Sequence, residues 1–370
     1  MLKKNASDMF ITAGMPPSLK IAGRVVPVTQ RKLTPEQTYA TVMAIMTPDQ
    51  QEEFEVTREC NFAISAKNIG RFRVSAFYQR NQAGMVIRRI TTKIPSIEEL
   101  SLPPILKDFA MTQRGLIIFV GATGTGKSTS LASMVGFRNR NSTGHIITIE
   151  DPIEYIHSHE GCVVTQREVG IDTESYDVAL RNTLRQAPDV ILVGEIRQRE
   201  TMDHAIAFAE TGHLCLSTLH ANNSNQAMDR IINFFPAERR DQLFMDLSLN
   251  LKAVIAQQLI PTPDGKGRVV ALEILVNTPH VSDLIRKGKV NELKDIMKRS
   301  KEQGMQTFDQ HLFELYKEGK IAYEDAIRYA DSANEVRLMI KLDSSEGDKF
   351  AAQPDMPSGE GDTMMSLDDY

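Results

Sequence analysis

Short apolar runs alternate with longer amphipathic segments through the middle of the chain. The runs occupy residues 116–120, 146–149, 190–193 and 214–219. Such runs, separated by segments with helical periodicity, are typical of strands buried on both faces of a parallel sheet. The pattern therefore predicts an α/β domain with a mostly parallel sheet. Residues 239–260 and 281–342 follow a helical pattern, so we expect helices to complete this domain.

The first ninety residues have a different pattern of apolar and polar positions, which predicts a small mixed domain. Alternation over residues 61–65, 70–78 and 84–90, and shorter segments at 8–12 and 23–28, predicts strands. A helix start is predicted at Thr34-Pro-Glu-Gln, with Thr34 as the cap, Pro35 in the first helical position and Gln37 closing a capping box. Residues 1–93 are therefore expected to form a smaller α+β domain.

Prolines and acidic residues mark the remaining boundaries. Pro95, Pro103 and Pro104 interrupt regular structure and predict a linker over residues 94–104, with the α/β domain following over residues 105–342. Residues 343–370 carry eight acidic residues against one lysine and show no periodicity. A segment with so few apolar residues cannot offset the entropy of ordering, so a disordered acidic tail is predicted.

Composition and charge exclude several classes of protein. The formal net charge is −5, but residues 343–370 contribute −7, so residues 1–342 sum to about +2. A nearly neutral body offers no basic face, and no nucleic-acid partner is expected. Cys60, Cys162 and Cys215 are far apart, which disfavours a disulfide framework or a structural zinc site. No apolar run has the roughly 18 residues of a membrane span, and a cytoplasmic protein is expected.

The segment after the first apolar run matches the phosphate-binding pattern G-x4-GK[ST] without a mismatch. A predicted strand enters it and a helical pattern over residues 130–137 leaves it, which is the context that this motif requires. Backbone N–H groups of such a loop face phosphate oxygens at the positive end of the helix, the lysine reaches the β and γ phosphates, and the serine ligates Mg²⁺. The predicted ATP and Mg²⁺ site comprises Gly121, Ala122, Thr123, Gly124, Thr125, Gly126, Lys127, Ser128 and Thr129.

A second strand with a terminal carboxylate is expected beside a phosphate-binding loop. The third apolar run, residues 190–193, ends in Gly194-Glu195. An Asp usually stands where this chain has Gly194, so Glu195 is the predicted Mg²⁺-orienting acid, acting through water.

Two other polar segments follow apolar runs and have structural as well as catalytic interpretations. Glu150, Asp151 and Glu154 come after the second run, and any of them could orient and deprotonate the attacking water or simply cap the loop. His213 and His220 flank the fourth run, where a histidine is often only structural.

Four arginines lie on predicted strands of the first domain. They are Arg71, Arg73, Arg88 and Arg89. Surface arginines are usually solvated, so these residues by themselves indicate no particular chemistry.

Taken together, these segments resemble the ATPases of the secretion superfamily. The phosphate loop, the acidic segment 148–154, the Gly194-Glu195 pair and the segment from Thr211-Gly-His to Thr-Leu-His220 match that superfamily in order and separation. Within it, the chain resembles the type IV pilus retraction ATPases of the PilT/PilU family along nearly its whole length. Residues 70–78 and 184–192 carry the resemblance outside the phosphate loop.

The resemblance implies an architecture and roles for individual residues. A PAS-like N-terminal domain would precede a RecA-like ATPase domain, and six copies would form a homohexamer with ATP sites at the subunit borders. By motif match, Glu154 would be the catalytic carboxylate, Glu195 the Walker B acid and His220 a nucleotide-sensing histidine. Arg73 and Arg88 would reach the phosphates of a neighbouring subunit.

The resemblance also implies a motor that hydrolyses ATP to retract type IV pili, at the inner-membrane base of the pilus machine and against its platform protein. The absence of a tetracysteine motif favours the retraction branch, and the acidic tail resembles the PilU branch. The segment His280-Val-Ser-Asp-Leu-Ile-Arg-Lys keeps only part of a helix motif of the PilT branch, which favours an accessory to a PilT-like ATPase. The alternatives are a non-autonomous accessory docked on another ring ATPase, or a type II secretion or pilus assembly ATPase.

Overall fold

A computed structural model describes residues 1–21, 23–66, 70–90 and 93–343, and the first of its two sheets is antiparallel. The strand order of this sheet is β3-β2-β1-β6-β5-β4. Its strands are β1 (Asp8–Ile11), β2 (Ser18–Ile21), β3 (Arg24–Pro27), β4 (Glu59–Ala66), β5 (Gly70–Gln79) and β6 (Gln82–Arg89). The predicted strands are confirmed. Strand β2 was missed because Pro16 and Pro17 directly before it favour a turn.

Two helices with the same start signal pack on the first sheet. They are α1 (Pro35–Met43) and α2 (Pro48–Thr57). The predicted capping box is confirmed at α1, where the Thr34 side chain accepts from the Gln37 N–H and the Gln37 side chain accepts from the Thr34 N–H. Thr47-Pro-Asp-Gln repeats the signal at α2 and forms a second capping box, which was not predicted. Helix α2 places Phe54 in the core of this sheet, stacked on the Tyr78 ring.

The second sheet is the predicted, mostly parallel one. Its order is β13-β12-β7-β11-β10-β8-β9, and every neighbouring pair is parallel except β12 with β13. The strands are β7 (Gly115–Val120), β8 (Gly144–Glu150), β9 (Cys162–Glu168), β10 (Val190–Val193), β11 (Leu214–Leu219), β12 (Leu251–Pro261) and β13 (Arg268–Val276). All four predicted apolar runs are confirmed as strands at the centre of this sheet.

Helices cover both faces of the second sheet and form its C-terminal end. They are α3 (Ile105–Met111), α4 (Lys127–Asn141), α5 (Tyr176–Thr183), α6 (Arg199–Glu210), α7 (Ser224–Phe234), α8 (Arg240–Asn250), α9 (Pro279–Arg286), α10 (Leu293–Arg299), α11 (Phe308–Lys317), α12 (Tyr323–Arg328) and α13 (Ala333–Asp343). The predicted helices over residues 281–342 are confirmed. None of the helices in the described part of the chain is long and apolar enough to cross a membrane.

The helical prediction for residues 239–260 is wrong in its second half. Helix α8 ends at Asn250 and the chain continues directly into strand β12. Ala253, Val254, Ile255 and Ala256 are fully buried there, between β7 and β13. An apolar run buried on both sides carries no periodicity that separates strand from helix, which is why the pattern misled.

Each sheet has a hydrophobic core of its own. The core of the first sheet includes Val42, Phe54 and Val74. Two larger clusters cover the faces of the second sheet, and one of them also contains Ile97 and Leu102 from the segment predicted as a linker. That segment is therefore packed against the second sheet from Ile97 onward. The predicted disordered tail, residues 343–370, lies outside the described residues except for Asp343.

The separate cores predict that damage to one sheet spares the other. Phe54→Ala should destabilise the first sheet by about 3–5 kcal/mol, because it leaves a cavity in place of a fully buried ring. Val56→Ala on the same helix should change stability by about 0.5 kcal/mol or less, because Val56 is 77% exposed. Chemical denaturation should show an early transition for Phe54→Ala and an unchanged late one. A single transition shifted as a whole would show that the two sheets unfold as one unit.

Candidate active site

The carboxyl ends of β7, β8, β10 and β11 meet at one edge of the second sheet, and a cavity of about 530 Å³ opens there. Parallel strands bring the residues that follow them to a common edge, so segments far apart in sequence share this cavity. Its polar lining includes Thr123, Lys127, Ser128, Thr129, Glu150, Asp151, Glu154, Glu195, Arg197, Thr218 and His220.

The predicted phosphate loop bends between β7 and α4 at this edge. Gly121, Gly124 and Gly126 adopt positive φ values of 153°, 82° and 87°, which residues with a Cβ rarely reach. Gly124, Gly126 and the three residues that follow Gly126 line the cavity, whereas Gly121 and Thr125 form the turn behind it. The first turn of the 15-residue helix α4 therefore faces the cavity with unpaired N–H groups, an arrangement suited to anions.

Lys127 reaches back across the loop. Its Nζ donates to the carbonyl oxygens of Gly121 at 2.7 Å and Ala122 at 2.9 Å. Burial lowers its pKa, and the charges of Glu195 and Glu154 oppose that effect. Since the side chain is only 8% exposed, the ammonium group is largely stripped of water and suited to binding a phosphate.

Glu195 is fixed by two cationic or polar partners. Its Oε1 lies 2.8 Å from His220 Nε2, and its Oε2 accepts from Arg197 Nε at 2.7 Å. The Arg197 guanidinium also approaches Asp151 at 3.6 Å, and the hydrogen bond to Glu195 raises the arginine pKa. The predicted Walker B acid, Glu195, and the predicted sensor histidine, His220, are therefore in direct contact. Any movement of Glu195 would therefore change its contact with His220, which directly follows β11.

The structure explains why Gly194 stands where an Asp is usual. A Cβ at Gly194 would lie 2.9 Å from the Tyr176 hydroxyl and 3.1 Å from Glu150 Cα, so a side chain here would require both neighbours to shift. The Gly194 N–H donates to the Ile149 carbonyl at 2.7 Å, and its carbonyl accepts from Thr218 Oγ1 at 2.7 Å. The backbone at 194 is thus clamped between two strands, and the first side chain free to enter the cavity is Glu195.

The three acids after β8 occupy different environments. Glu150 accepts from Thr148 Oγ1 at 2.7 Å, and burial raises its pKa to about 7. Asp151 is exposed and faces Arg197. Glu154 is exposed at the cavity, and no residue in the described part of the chain pairs with its carboxylate. Of the three, Glu154 has the side chain most available to a water molecule.

Arg73 and Arg88 do not reach this cavity within one chain. Arg88 sits opposite Asp8 in the first sheet and donates to its carboxylate at 2.7 Å. Burial alone would raise the pKa of Asp8, but hydrogen bonds from Arg88 and Ser7 lower it. Arg73 lines a separate cleft of about 510 Å³ between the two sheets, together with Asp151 and Glu168.

Several residues at the site carried no recognisable sequence signal. Tyr155 exchanges a hydrogen bond with Thr129 at 2.9 Å, and Arg197 holds Glu195. His157 also lines the cavity, where burial lowers its pKa to about 4. His213 has a structural role, because it contacts Thr211 and the Phe208 carbonyl at the opposite end of β11. These contacts depend on which strand ends meet, and a short sequence motif does not contain that information.

The residues present fit Mg²⁺ bound together with phosphate. The described residues contain no group of three or more His, Cys, Asp or Glu side chains arranged to hold a metal by themselves. Mg²⁺ commonly takes one or two protein oxygens and fills its other positions with phosphate oxygens and water. The Ser128 hydroxyl at the start of α4 is such an oxygen, and the Glu195 carboxylate lies in the same cavity, where it would act on Mg²⁺ through water.

Comparison with known proteins places this geometry in a family. The family model described as "Type II/IV secretion system protein" matches residues 1–328. The chain is 69% identical over 353 residues to the type IV pilus ATPase PilU of Pseudomonas aeruginosa, covering 95% of this chain and 92% of that protein. It is 41% identical over 324 residues to the retraction ATPase PilT of the same organism, covering 88% and 94%.

A solved structure agrees with these relatives. The pilus retraction motor PilT with bound ADP matches with a TM-score of 0.86 and 39% identity, over 91% of this chain and 97% of that one. The predicted fold class, a RecA-like ATPase domain with a smaller PAS-like domain, is thereby confirmed. The chain belongs to the Type II/IV secretion system protein family and, within it, to the PilT/PilU type IV pilus ATPases, and it is an ATP hydrolase.

Proposed function

We propose that the cavity at residues 121–129 binds Mg·ATP and that its hydrolysis powers type IV pilus retraction. The observation that carries this proposal is the convergence of Lys127, Glu195 and His220 in one cavity. Lys127 and the N–H groups of α4 would hold the phosphates. Ser128 and, through water, Glu195 would hold Mg²⁺, which supplies charge neutralisation on the phosphate oxygens.

Glu154 is the proposed catalytic carboxylate. Its free carboxylate at the cavity can accept a proton from a water molecule, whereas Glu195 is already held by His220 and Arg197. Glu150 is less suited, because its Oε1 already accepts hydrogen bonds from Thr148 Oγ1 and Gln166 Nε2. A change at Glu195 would alter its contact with His220, which directly follows β11, so His220 would act as the nucleotide sensor.

The catalytic site is proposed to be completed by a neighbouring subunit in a homohexamer. Arg73 and Arg88 lie on the first sheet, outside the cavity of their own chain. Arginines that enter from a neighbour can offset the charge of the transition state.

The domain boundaries at residues 93 and 105 also belong to this proposal, and the structure refines where a hinge between the domains would lie. Because Ile97 is buried against the second sheet, a hinge would lie before it.

The mechanical partners are part of the proposal. The similarity to PilU and PilT supports a pilus motor. We propose that it acts with a PilT-like ATPase on the pilus platform protein, at the cytoplasmic side of the inner membrane. The higher identity to PilU favours the accessory role. A non-autonomous accessory, docked on another ring and hydrolysing ATP only there, is the second candidate.

Pilus retraction assays test this function. Cells with this protein as their sole retraction ATPase should retract weakly, and adding a PilT-like ATPase should restore retraction under load. Lys127→Ala should abolish its contribution, because the phosphate-binding ammonium group is lost while the fold is kept. Retraction that is indifferent to Lys127→Ala in both backgrounds would contradict a motor role for ATP hydrolysis here.

Glu154→Gln and Glu195→Gln should bind ATP and turn it over at least tenfold more slowly. Each change keeps the shape of the side chain and removes the charge that holds water or Mg²⁺. Nucleotide binding by calorimetry and single-turnover hydrolysis separate the two steps. Glu150→Gln is the matched control for Glu154, and a larger loss of turnover there would transfer the catalytic role to Glu150.

Mixed rings test whether the arginines act in trans. Arg73→Ala subunits keep an intact phosphate loop, and Lys127→Ala subunits keep intact arginines, so neither should hydrolyse ATP well alone. Mixed oligomers should regain activity wherever an intact loop meets an intact arginine, since such arginines contribute on the order of 10³ or more in rate. Arg24→Ala, an exposed arginine of the same sheet, should stay active. Mixed oligomers as inactive as their parents would refute the trans assignment.

A further inference from the structure

We propose that Gln257 is a positioning residue that clamps the phosphate-binding loop in its nucleotide-binding shape. The proposal rests on the assignment of the loop to ATP made above. Gln257 lies on β12, one residue beyond the point where Ala256 pairs with Val120, the last residue of β7. Strand β12 therefore continues alongside the loop after β7 has ended.

The Gln257 side chain joins the C-terminal end of the loop to the first turn of helix α4. It is 1% exposed, its Nε2 donates to the Thr125 carbonyl at 2.7 Å, and its Oε1 accepts from Ser130 Oγ at 2.8 Å. Thr125 precedes helix α4, and Ser130 lies in the first turn of that helix. One buried amide, donating to Thr125 and accepting from Ser130, thus fixes the distance between the turn and the helix.

The bond to Thr125 sets the direction of the next N–H group. In a trans peptide the C=O and the following N–H point in opposite directions. Because the Thr125 carbonyl is held toward Gln257, the Gly126 N–H points away from Gln257. Gly126 lines the cavity, so this donor is available to a phosphate oxygen. Without the bond, the peptide plane could rotate and present its carbonyl oxygen to the anion.

The close approach of Gln257 also accounts for two of the glycines. A Cβ at Gly121 would lie 2.6 Å from the Gln257 carbonyl oxygen, and one at Gly126 would lie 2.8 Å from Gln257 Nε2. The loop therefore packs directly on this residue. Beyond it, Leu259 on β12 and Arg268 on β13 line the same cavity. Gln257 connects the phosphate loop to the hairpin that closes one side of the site.

Substitutions at Gln257 test the clamp by nucleotide affinity and pH profile. Gln257→Leu removes both hydrogen bonds and should raise the Kd for ADP and the KM for ATP by on the order of tenfold. At pH 8, Gln257→Glu should bind ADP as weakly as Gln257→Leu, because a carboxylate cannot donate to the Thr125 carbonyl. At pH 6 a buried, protonated carboxyl can donate to Thr125 and accept from Ser130, so ADP affinity should recover toward wild type.

Two comparisons make the result specific. Gln258→Leu changes the adjacent, half-buried position and should bind ADP like wild type. The charged groups of the cavity, Lys127, Glu154 and Glu195 among them, are present in every one of these variants. Expressing each affinity relative to wild type at the same pH therefore removes the pH dependence that all variants share. Melting temperatures without nucleotide show whether Gln257→Leu folds. If it does not, the Gln257→Glu pH profile still decides.

The possible outcomes distinguish a failure of the proposed role of Gln257 from a failure of the ATP-site assignment. Wild-type ADP affinity in folded Gln257→Leu, or a Gln257→Glu affinity that does not improve at pH 6, overturns the clamp. Lys127→Ala is measured in parallel. If it binds and hydrolyses ATP normally, the site assignment itself fails. If it is inactive while the Gln257 variants behave as wild type, the site stands and the clamp alone is rejected.

Discussion

The parallel ordering of the central strands is the constraint on which the site depends. Strands β7, β8, β10 and β11 run in one direction, so the residues that follow them reach a common edge. The loop after β7 supplies the phosphate-binding backbone, and the segments after the other three strands supply carboxylates and a histidine. Antiparallel pairing of any of these strands would send its terminal residue to the opposite edge of the sheet.

Hydrogen bonds and ion pairs then fix the groups at that edge. Thr218 and the Ile149 carbonyl hold the backbone at Gly194, and His220 and Arg197 hold Glu195 beyond it. Oriented groups in a partly buried cavity lose little energy to reorganisation when charge develops on a phosphate. Arg73 and Arg88 of the first sheet do not line the cavity of their own chain. Their position is the reason for proposing that the sites are shared across the subunit borders of a ring.

Much of this could be predicted from the sequence, because the phosphate loop and the strand-end acids are local patterns. The loop from Gly121 to Thr129 needs its glycines because its backbone adopts positive φ angles. This requirement can be inferred from the motif without knowledge of tertiary contacts. The pairing of Glu195 with His220 needed both strand order and register, which the sequence pattern does not contain. Roles for Glu154, Arg73 and Arg88 came from resemblance to a family, and they stay predictions.

The error at β12 shows where local reasoning fails. An apolar run buried between two strands looks the same as a buried helix, so residues 251–260 were assigned to a helix. The misassignment concealed Gln257, because only a strand beside β7 brings that amide to the loop. A polar residue within an apolar run was the available signal. Its meaning depended on a neighbour 132 positions away in sequence.

A structure with bound ADP and Mg²⁺ tests the account most directly. The diphosphate should lie against the N–H groups of Gly124, Gly126 and Lys127. Lys127 Nζ should leave the carbonyl oxygens of Gly121 and Ala122 and bind the phosphate instead. The Thr125 carbonyl should stay on Gln257, and Arg73 of the neighbouring subunit should face the terminal phosphate side. A nucleotide bound elsewhere, or a loop whose Thr125 carbonyl faces the phosphate, would contradict the account.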